Sequence, residues 1–367
     1  MATKVSDLDT PALLVDLDRL EANLDRAAAY AKASGLRLRP HTKTHKSPLV
    51  ASMQIARGAV GLTVAKVGEA QVMAGDGVPD LLVAYPVWGD VKWARLASIA
   101  RAGPVTVALD SPDVAEGLAV HARRAGVVIR VLVEADLGMR RCGLPPGRSL
   151  VDLGRRVEAL DGLRAEGIMF YPGHINPGSS GGPADLAKLR TDLGRVLSDF
   201  RASGLCTDVV SGGSTPTLYH SHTIEGLTEI RPGTYVFNDR SQVAMEACKW
   251  EHCALSVVAT VVSVSERGWF VVDAGSKTLS SDLQRPDQDG CFGHVVDVPG
   301  ARLHMMNEEH GMVDMSGRMD LAPRIGERVR IIPNHVCATV NMHDVVHGAR
   351  GGTVEVSWDV AGRGRVQ

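Results

Sequence analysis

The chain has 367 residues, and about one domain per 150 residues predicts two, or one large barrel with a smaller companion. A hydrophobic fraction of 44% with 22% charged residues is that of an ordinary globular protein, which excludes extended disorder and fibrous repeats. Lys+Arg 40 against Asp+Glu 42 leaves a formal charge of −2, so nothing electrostatic recommends nucleic acid or an anionic membrane as a partner.

No run of about 18 apolar residues exists, and Met1 to Thr10 is polar and acidic, unlike a signal peptide, so the expectation is a cytoplasmic protein. Six cysteines (Cys142, Cys206, Cys248, Cys253, Cys291, Cys337) without a repeated spacing argue against a disulfide framework and for buried bystanders. Aromatics make up 4% against 39 glycines, which favours tight turns and close backbone approach over stacking platforms for single strands.

Eight short runs rich in β-branched residues and Leu follow one another: Leu36–Lys43, Gly58–Val64, Asp80–Tyr85, Pro104–Asp110, Val127–Asp136, Leu163–Tyr171, Thr207–Gly212 and Leu227–Phe237. Amphipathic stretches such as Val87–Arg101, Asp113–Ala125 and Asp185–Ser203 lie between them. Helices between consecutive strands imply parallel pairing by right-handed crossovers, and eight such units predict a closed (β/α)8 barrel of the TIM type. An open doubly wound sheet would need a phosphate-binding turn after its first strand, and no G-x-G-x-x-G is there. After about Ala244 the pattern changes: Cys253–Val264 and Trp269–Ala274 flank Ser-Glu-Arg-Gly as a hairpin, with Arg328–Ile332 and Thr353–Val360 as further strands. The prediction is therefore an α/β chain with a barrel over residues 12–244 and a β-rich domain over 245–367, joined by residues 1–11.

A barrel keeps its chemistry at the C-terminal ends of its strands. The first run ends in RPHTKTHK (39–46), where Lys43 is placed to act as an amine nucleophile if the barrel mouth desolvates it; a solvated loop lysine is the alternative. The fifth run leads to Arg140 and Arg141 beside glycines, a setting for an anionic oxygen, and the sixth ends in Tyr171. The seventh ends in the turn Gly212-Gly213-Ser214-Thr215, and the eighth carries Arg231-Pro232-Gly233-Thr234. Gly-rich turns after the last two strands are where barrels bind phosphate. With a strand-end lysine opposite, they point to pyridoxal 5'-phosphate held by its phosphate and by a Lys43 Schiff base.

In the second domain, PNHVC (333–337) follows a strand, and alternate residues of an extended segment face one way, so His335 and Cys337 are expected to converge as a metal pair. A buried cysteine beside a satisfied histidine is the ordinary alternative. His343, Asp344, Glu309 and His310 stand near enough in sequence to add donors.

Asp9-Thr10-Pro11-Ala12, RPHTKTHK (39–46), GGST (212–215), RPGTYVFND (231–239), NEEHG (307–311) and PNHVC (333–337) together resemble the D-threonine aldolase and D-serine dehydratase family, the metal-dependent branch of the pyridoxal-phosphate enzymes with the alanine racemase fold. The resemblance spans nearly the whole chain. It implies a barrel that binds pyridoxal phosphate, a C-terminal β domain, and a homodimer acting on a small D-β-hydroxy-α-amino acid. It implies Lys43 as the Schiff-base lysine, Arg141 and Tyr171 at the cofactor ring, and Gly212, Gly213, Ser214, Thr215, Gly233 and Thr234 at its phosphate. It implies His335 and Cys337 as ligands of a divalent ion, Zn²⁺ or Mn²⁺, with Mg²⁺ or Co²⁺ as further candidates.

The reaction has two candidates. Within the family the resemblance implies His-x-Asp at the metal pair of aldolases and His-x-Cys in dehydratases, so Cys337 and the GSTPT segment (213–217) look like the dehydratase side. RPHTKTHK and the segment Val340 to Asp344 look like the aldolase side, and the expectation is D-threonine aldolase, with D-serine or 3-hydroxy-D-aspartate dehydratase as the alternative. A racemase with two opposed bases and no metal, or a non-catalytic pyridoxal-phosphate-binding protein, is more remote; the latter would be a single barrel.

Overall fold

A computed structural model of the chain describes residues 3–75, 77, 80–284, 289–315 and 317–367. The chain divides into two compact units. One comprises Asp25–Lys43, Pro48–Gly233 and Gly364–Gln367; the other comprises Met1–Leu24, Thr44–Ser47 and Thr234–Arg363. Among the described residues, no helix is long and apolar enough to cross a membrane.

The first strand, β1 (Ala12–Asp16), is apolar along its length and buried at its first four positions. Periodicity alone assigns such a run to either sheet. It pairs antiparallel with residues 255–258 and parallel with residues 346–349, which places it in the β-rich unit, although the sequence pattern starts the barrel at residue 12.

The barrel unit carries β2 (Arg37–Leu38), β3 (Leu62–Val64), β4 (Leu81–Val83), β5 (Val105–Leu109), β6 (Ile129–Glu134), β7 (Leu163–Met169), β8 (Val209–Gly212) and β9 (Glu229–Ile230). Each falls within one of the eight predicted runs. The strands are parallel in the order β2-β9-β8-β7-β6-β5-β4-β3. Backbone bonds from Val60 N to Leu38 O, Thr63 N to Pro40 O and Thr42 N to Thr63 O tie the first strand's continuation to β3 and close the sheet. Strand β5 shows why the runs are continuous rather than alternating: all five residues are buried, as in a parallel strand covered on both faces. The helix after it, Pro112–Ala125, has the expected punctuation, with Ser111 Oγ accepting from Asp113 N, Pro112 in its first turn and Gly126 at φ 68° closing it. Leu82, Ala108, Leu132 and Met169, one from each of four adjacent strands, pack as a layer.

A column of charge also runs through this barrel. Arg39 bonds Asp80 Oδ1 at 2.9 Å and Glu229 Oε2 at 2.8 Å, and Arg130 shares Asp80. Glu229 Oε1 accepts from Ser211 Oγ at 2.7 Å, and Ser211 Oγ accepts from Arg231 Nη1 at 2.7 Å. Buried guanidinium groups are tolerable only with such partners.

The β-rich unit adds β10 (Leu255–Ser265), β11 (Trp269–Val272), β12 (Gly293–Val295), β13 (Arg302–Met306), β14 (Gly311–Asp314), β15 (Arg328–Pro333), β16 (Val345–Arg350) and β17 (Thr353–Asp359). The predicted hairpin is β10 and β11, antiparallel with a register shift between Val261 and Ser263. Strands β12, β13, β14 and β16 are short or interrupted by polar residues and leave little trace in the pattern. Leu8, Ala12, Leu14, Val258 and Ala349 form a core cluster in which the N-terminal segment takes part. All six cysteines are free; Cys253 and Cys291 are buried and the other four only half-buried, so most are not the buried bystanders expected.

Candidate active site

The strand ends of the barrel unit surround a cavity of about 330 Å³ whose lining includes Lys43, Glu134, Arg141, Tyr171, Gly213 and Arg231. Lys43 follows β2, Glu134 ends β6, Tyr171 follows β7, and Gly213 follows β8. The half-buried Tyr171 ring organises two of the predicted groups: the Lys43 amine lies 5.8 Å from its centroid and the Arg141 guanidinium 4.7 Å. Lys43, Arg141, Tyr171 and Gly213 are thus brought together at one cavity. Arg140, the other arginine of the pair, is not among its lining residues. Burial, with Glu134 and Asp110 adding to it, pushes the Cys142 thiol above its ordinary range, so this neighbour of Arg141 is a neutral thiol rather than a nucleophile.

The turn after β8 needs its glycines. A Cβ on Gly212 would sit 2.2 Å from the Phe170 ring, and Gly213 has φ 98°, a conformation that side chains disfavour. Ser214 N donates to Thr217 Oγ1 at 2.9 Å, and the two hydroxyls lie 3.1 Å apart, so Thr217 braces the turn from inside. Ser214 and Thr215 are both buried. Gly233 is the last barrel-unit residue before the chain enters the other unit, and Pro232 O beside it accepts from His41 N.

Two further residues of the cavity are Glu134, which lies outside the quoted motifs, and Arg231, which opens RPGTYVFND but to which the motif alone assigns no role. Arg231, 5% exposed, donates from Nη1 to Ser211 and from Nη2 to Phe170 O at 2.9 Å. Burial pulls its guanidinium down to about 10, against the opposing pull of Glu229, Glu134 and Tyr171. Glu134, 3% exposed, has an Oε2 with no hydrogen-bond partner among the described residues. Burial pushes this carboxyl up to about 7; Asp110 adds to the shift, while Arg231 and Arg141 oppose it. An acidic residue at the end of an apolar run was the available signal, but burial is not visible in a motif.

In the β-rich unit, the predicted metal pair has a different backbone from the one expected. His335 caps the five-residue helix Val336–Val340, so Cys337 stands on a helical first turn and not on an extended segment. The two side chains nevertheless meet. A hydrogen bond to Asp239, then one to Cys337, raise the pKa of the half-buried His335 imidazole to about 11, so an ion bound there would have to displace its proton. Asp239 is fully buried and does three things: Oδ1 accepts from Gln242 N at 2.9 Å, Oδ2 accepts from Val336 N at 3.1 Å, and Oδ2 lies 3.4 Å from His335 Nδ1. The Cys337 Sγ also lies 3.2 Å from Thr44 Oγ1 and 3.8 Å from Thr234 Oγ1, which puts Thr234 at the thiol. Three of the four extra donors expected from sequence are engaged elsewhere: His343 with Thr278 O, Asp344 with Arg363 and Glu309 with Lys277. Among the described residues, no three His, Cys, Asp or Glu side chains gather as a metal site.

A barrel closed by eight parallel strands, with a lysine, a tyrosine-stacked arginine and a glycine turn at its mouth, places the molecule among the alanine racemase-like folds. The alanine racemase N-terminal domain family matches residues 15–241, and the putative serine dehydratase domain family matches residues 254–349. The chain is 36% identical to D-threo-3-hydroxyaspartate dehydratase of Delftia sp. (strain HT23) over 90% of its own length and 92% of the relative's. It superimposes on the crystal structure of D-threonine aldolase from Filomicrobium marinum with a TM-score of 0.93 at 35% identity, covering 100% of this chain and 99% of the other. A Cys-to-Ala mutant of D-threo-3-hydroxyaspartate dehydratase, solved in the metal-free form, matches with a TM-score of 0.88 at 32% identity over 97% and 98% of the two chains. The chain belongs to the D-threonine aldolase and D-serine dehydratase family.

Proposed function

We propose that this protein is a pyridoxal-phosphate-dependent lyase for D-β-hydroxy-α-amino acids, assisted by a divalent ion, and that it works as a D-threonine aldolase releasing glycine and an aldehyde. The observation that carries the reading is the cavity in which the Lys43 amine and the Arg141 guanidinium both lie against the Tyr171 ring, beside the Gly213 turn. Relatives bearing both aldolase and dehydratase names support a lyase.

The residues fit the cofactor. A primary amine is available for an aldehyde, the Gly213 backbone lines the cavity at φ 98°, a conformation that side chains disfavour, and the cavity is large enough for a substituted pyridine ring. Pyridoxal phosphate bound there supplies an electron sink for the pair released at Cα. Lys43 is the amine that would bind the aldehyde, and as a free amine it is a proton acceptor at the same cavity. Arg141, stacked on Tyr171, keeps its N–H edge for an anionic oxygen, and Tyr171 keeps the guanidinium from swinging out. Arg231 stays in place through Ser211 and Phe170 O.

His335 and Cys337 are the residues that would hold the ion. Imidazole and thiolate are a donor set suited to Zn²⁺, with Mn²⁺ as the alternative, and Asp239 fixes the imidazole as a carboxylate behind a ligating histidine does. Such an ion supplies Lewis acidity toward a β-hydroxyl. Two protein donors leave positions for water or substrate.

The His-x-Cys pair favours a second reading, D-serine or 3-hydroxy-D-aspartate dehydratase, in which Lys43 removes the Cα proton and hydroxide leaves. Product analysis with D-threonine separates them: glycine with acetaldehyde is expected, and 2-oxobutanoate with ammonia would establish the dehydratase instead. Neither product pair, with cofactor and metal supplied, would defeat both.

A further inference from the structure

The carboxyl of Glu134 lines the cavity but belongs to no quoted motif and takes no part in the proposed reaction. It ends β6, is 3% exposed, lines the cavity with Lys43, Arg141, Tyr171 and Arg231, and has an Oε2 that meets no donor among the described residues. A buried carboxyl oxygen without a partner is costly, which a protein tolerates where a ligand or a change of protonation will use it. Its surroundings are of both signs. Arg231 and Arg141 favour its charged form, Asp110 and Asp136 disfavour it, and Lys43, Tyr171, His41 and Cys142 share the cavity.

The two arginines explain what the carboxyl does. Arg231 already spends donors on Ser211 and Phe170 O, and Arg141 is stacked on Tyr171, so both have fixed positions and a limited set of N–H groups to offer. A carboxylate beside them competes for those groups with any anion that enters; a neutral carboxylic acid does not.

We propose that Glu134 is a positioning residue whose proton decides how much of the Arg141 and Arg231 charge is offered to an anionic oxygen of the bound cofactor. The inference rests on reading the cavity as a pyridoxal phosphate site. Burial puts the switch near neutrality, since it pushes the carboxyl up to about 7. The sign follows by linkage. Below that value Glu134 is neutral and the guanidinium groups face the ligand; above it the carboxylate pairs with them, and anion affinity falls as pH rises.

The test is cofactor affinity of the apoprotein between about pH 6 and about pH 8, followed by the visible absorbance of lysine-bound pyridoxal phosphate, for the wild type, Glu134→Gln and Glu134→Asp. Titration of the free cofactor is common to all three, so the ratio of wild-type to Glu134→Gln affinity isolates the carboxyl. That ratio is expected to fall about tenfold across the range, with the step restored in Glu134→Asp. A constant ratio would overturn the proposal while leaving the cofactor reading intact. A wild-type apoprotein that never becomes coloured would overturn both. If Glu134→Gln does not fold, the infrared spectrum of the wild type decides: a neutral carboxylic-acid band present at about pH 6 and lost by about pH 8 supports the switch, and its absence defeats it.

Discussion

In the barrel unit the reactive groups stand at or just past the ends of strands: Lys43 after β2, Glu134 at the end of β6, Tyr171 after β7 and Gly213 after β8. In the β-rich unit His335 and Cys337 stand at the start of a five-residue helix whose first free N–H is taken by Asp239, nearly a hundred residues earlier in the chain. The first arrangement uses backbone geometry that the whole barrel maintains. The second depends on one buried carboxylate, and a site held by one residue is correspondingly easier to lose.

Substitutions can separate the two. The largest effect is expected from Lys43→Ala, which removes the amine at the cavity: the visible absorbance of lysine-bound cofactor should vanish, and turnover should fall by about 10²–10⁴. Persistence of that absorbance would remove Lys43 from its role. Asp239→Ala comes next. It should lower metal affinity about 10- to 100-fold, read by competition with a chelator, while cofactor absorbance stays as in the wild type. If metal affinity were unchanged, the dependence of the pair on Asp239 would be wrong. The smallest effect is expected from Gly213→Ala, where forcing a side chain to φ 98° costs about 1–2 kcal/mol in thermal unfolding and weakens cofactor binding. Unaltered stability and affinity would mean that the turn relaxes without its glycine.

How far each region could be read beforehand follows from the same contrast. The eight barrel strands were legible because a parallel strand covered on both faces is nearly continuously apolar, as Val105–Leu109 is apart from Thr106. Strand β1 is not among the predicted runs, and its sheet is not legible locally either, since Ala12–Val15 is buried wherever it pairs. The positions of Lys43 and Tyr171 could be named from strand-end motifs, whereas the choice of Arg141 over Arg140 came from the family resemblance. The conformation at His335 could not, because an extended pair and a helix cap place residues two apart equally near each other, and the deciding bond comes from Asp239. Glu134 was hidden for another reason: what distinguishes it is burial among charges of both signs, a property of the folded neighbourhood and not of any local pattern, and the same burial, which the RPGTYVFND motif does not display, is what sets Arg231 apart.

The charged column inside the barrel has an evolutionary consequence. Arg39 answers to both Asp80 and Glu229, Glu229 to Ser211, and Ser211 to Arg231, so replacing any one of them strands a buried partner at a cost of about 3–5 kcal/mol. A lineage cannot cross that loss one substitution at a time without a stabilising change elsewhere. Across descendants of this chain these five positions should therefore vary as a block or stay fixed, while the aliphatic layer of Leu82, Ala108, Leu132 and Met169 drifts residue by residue.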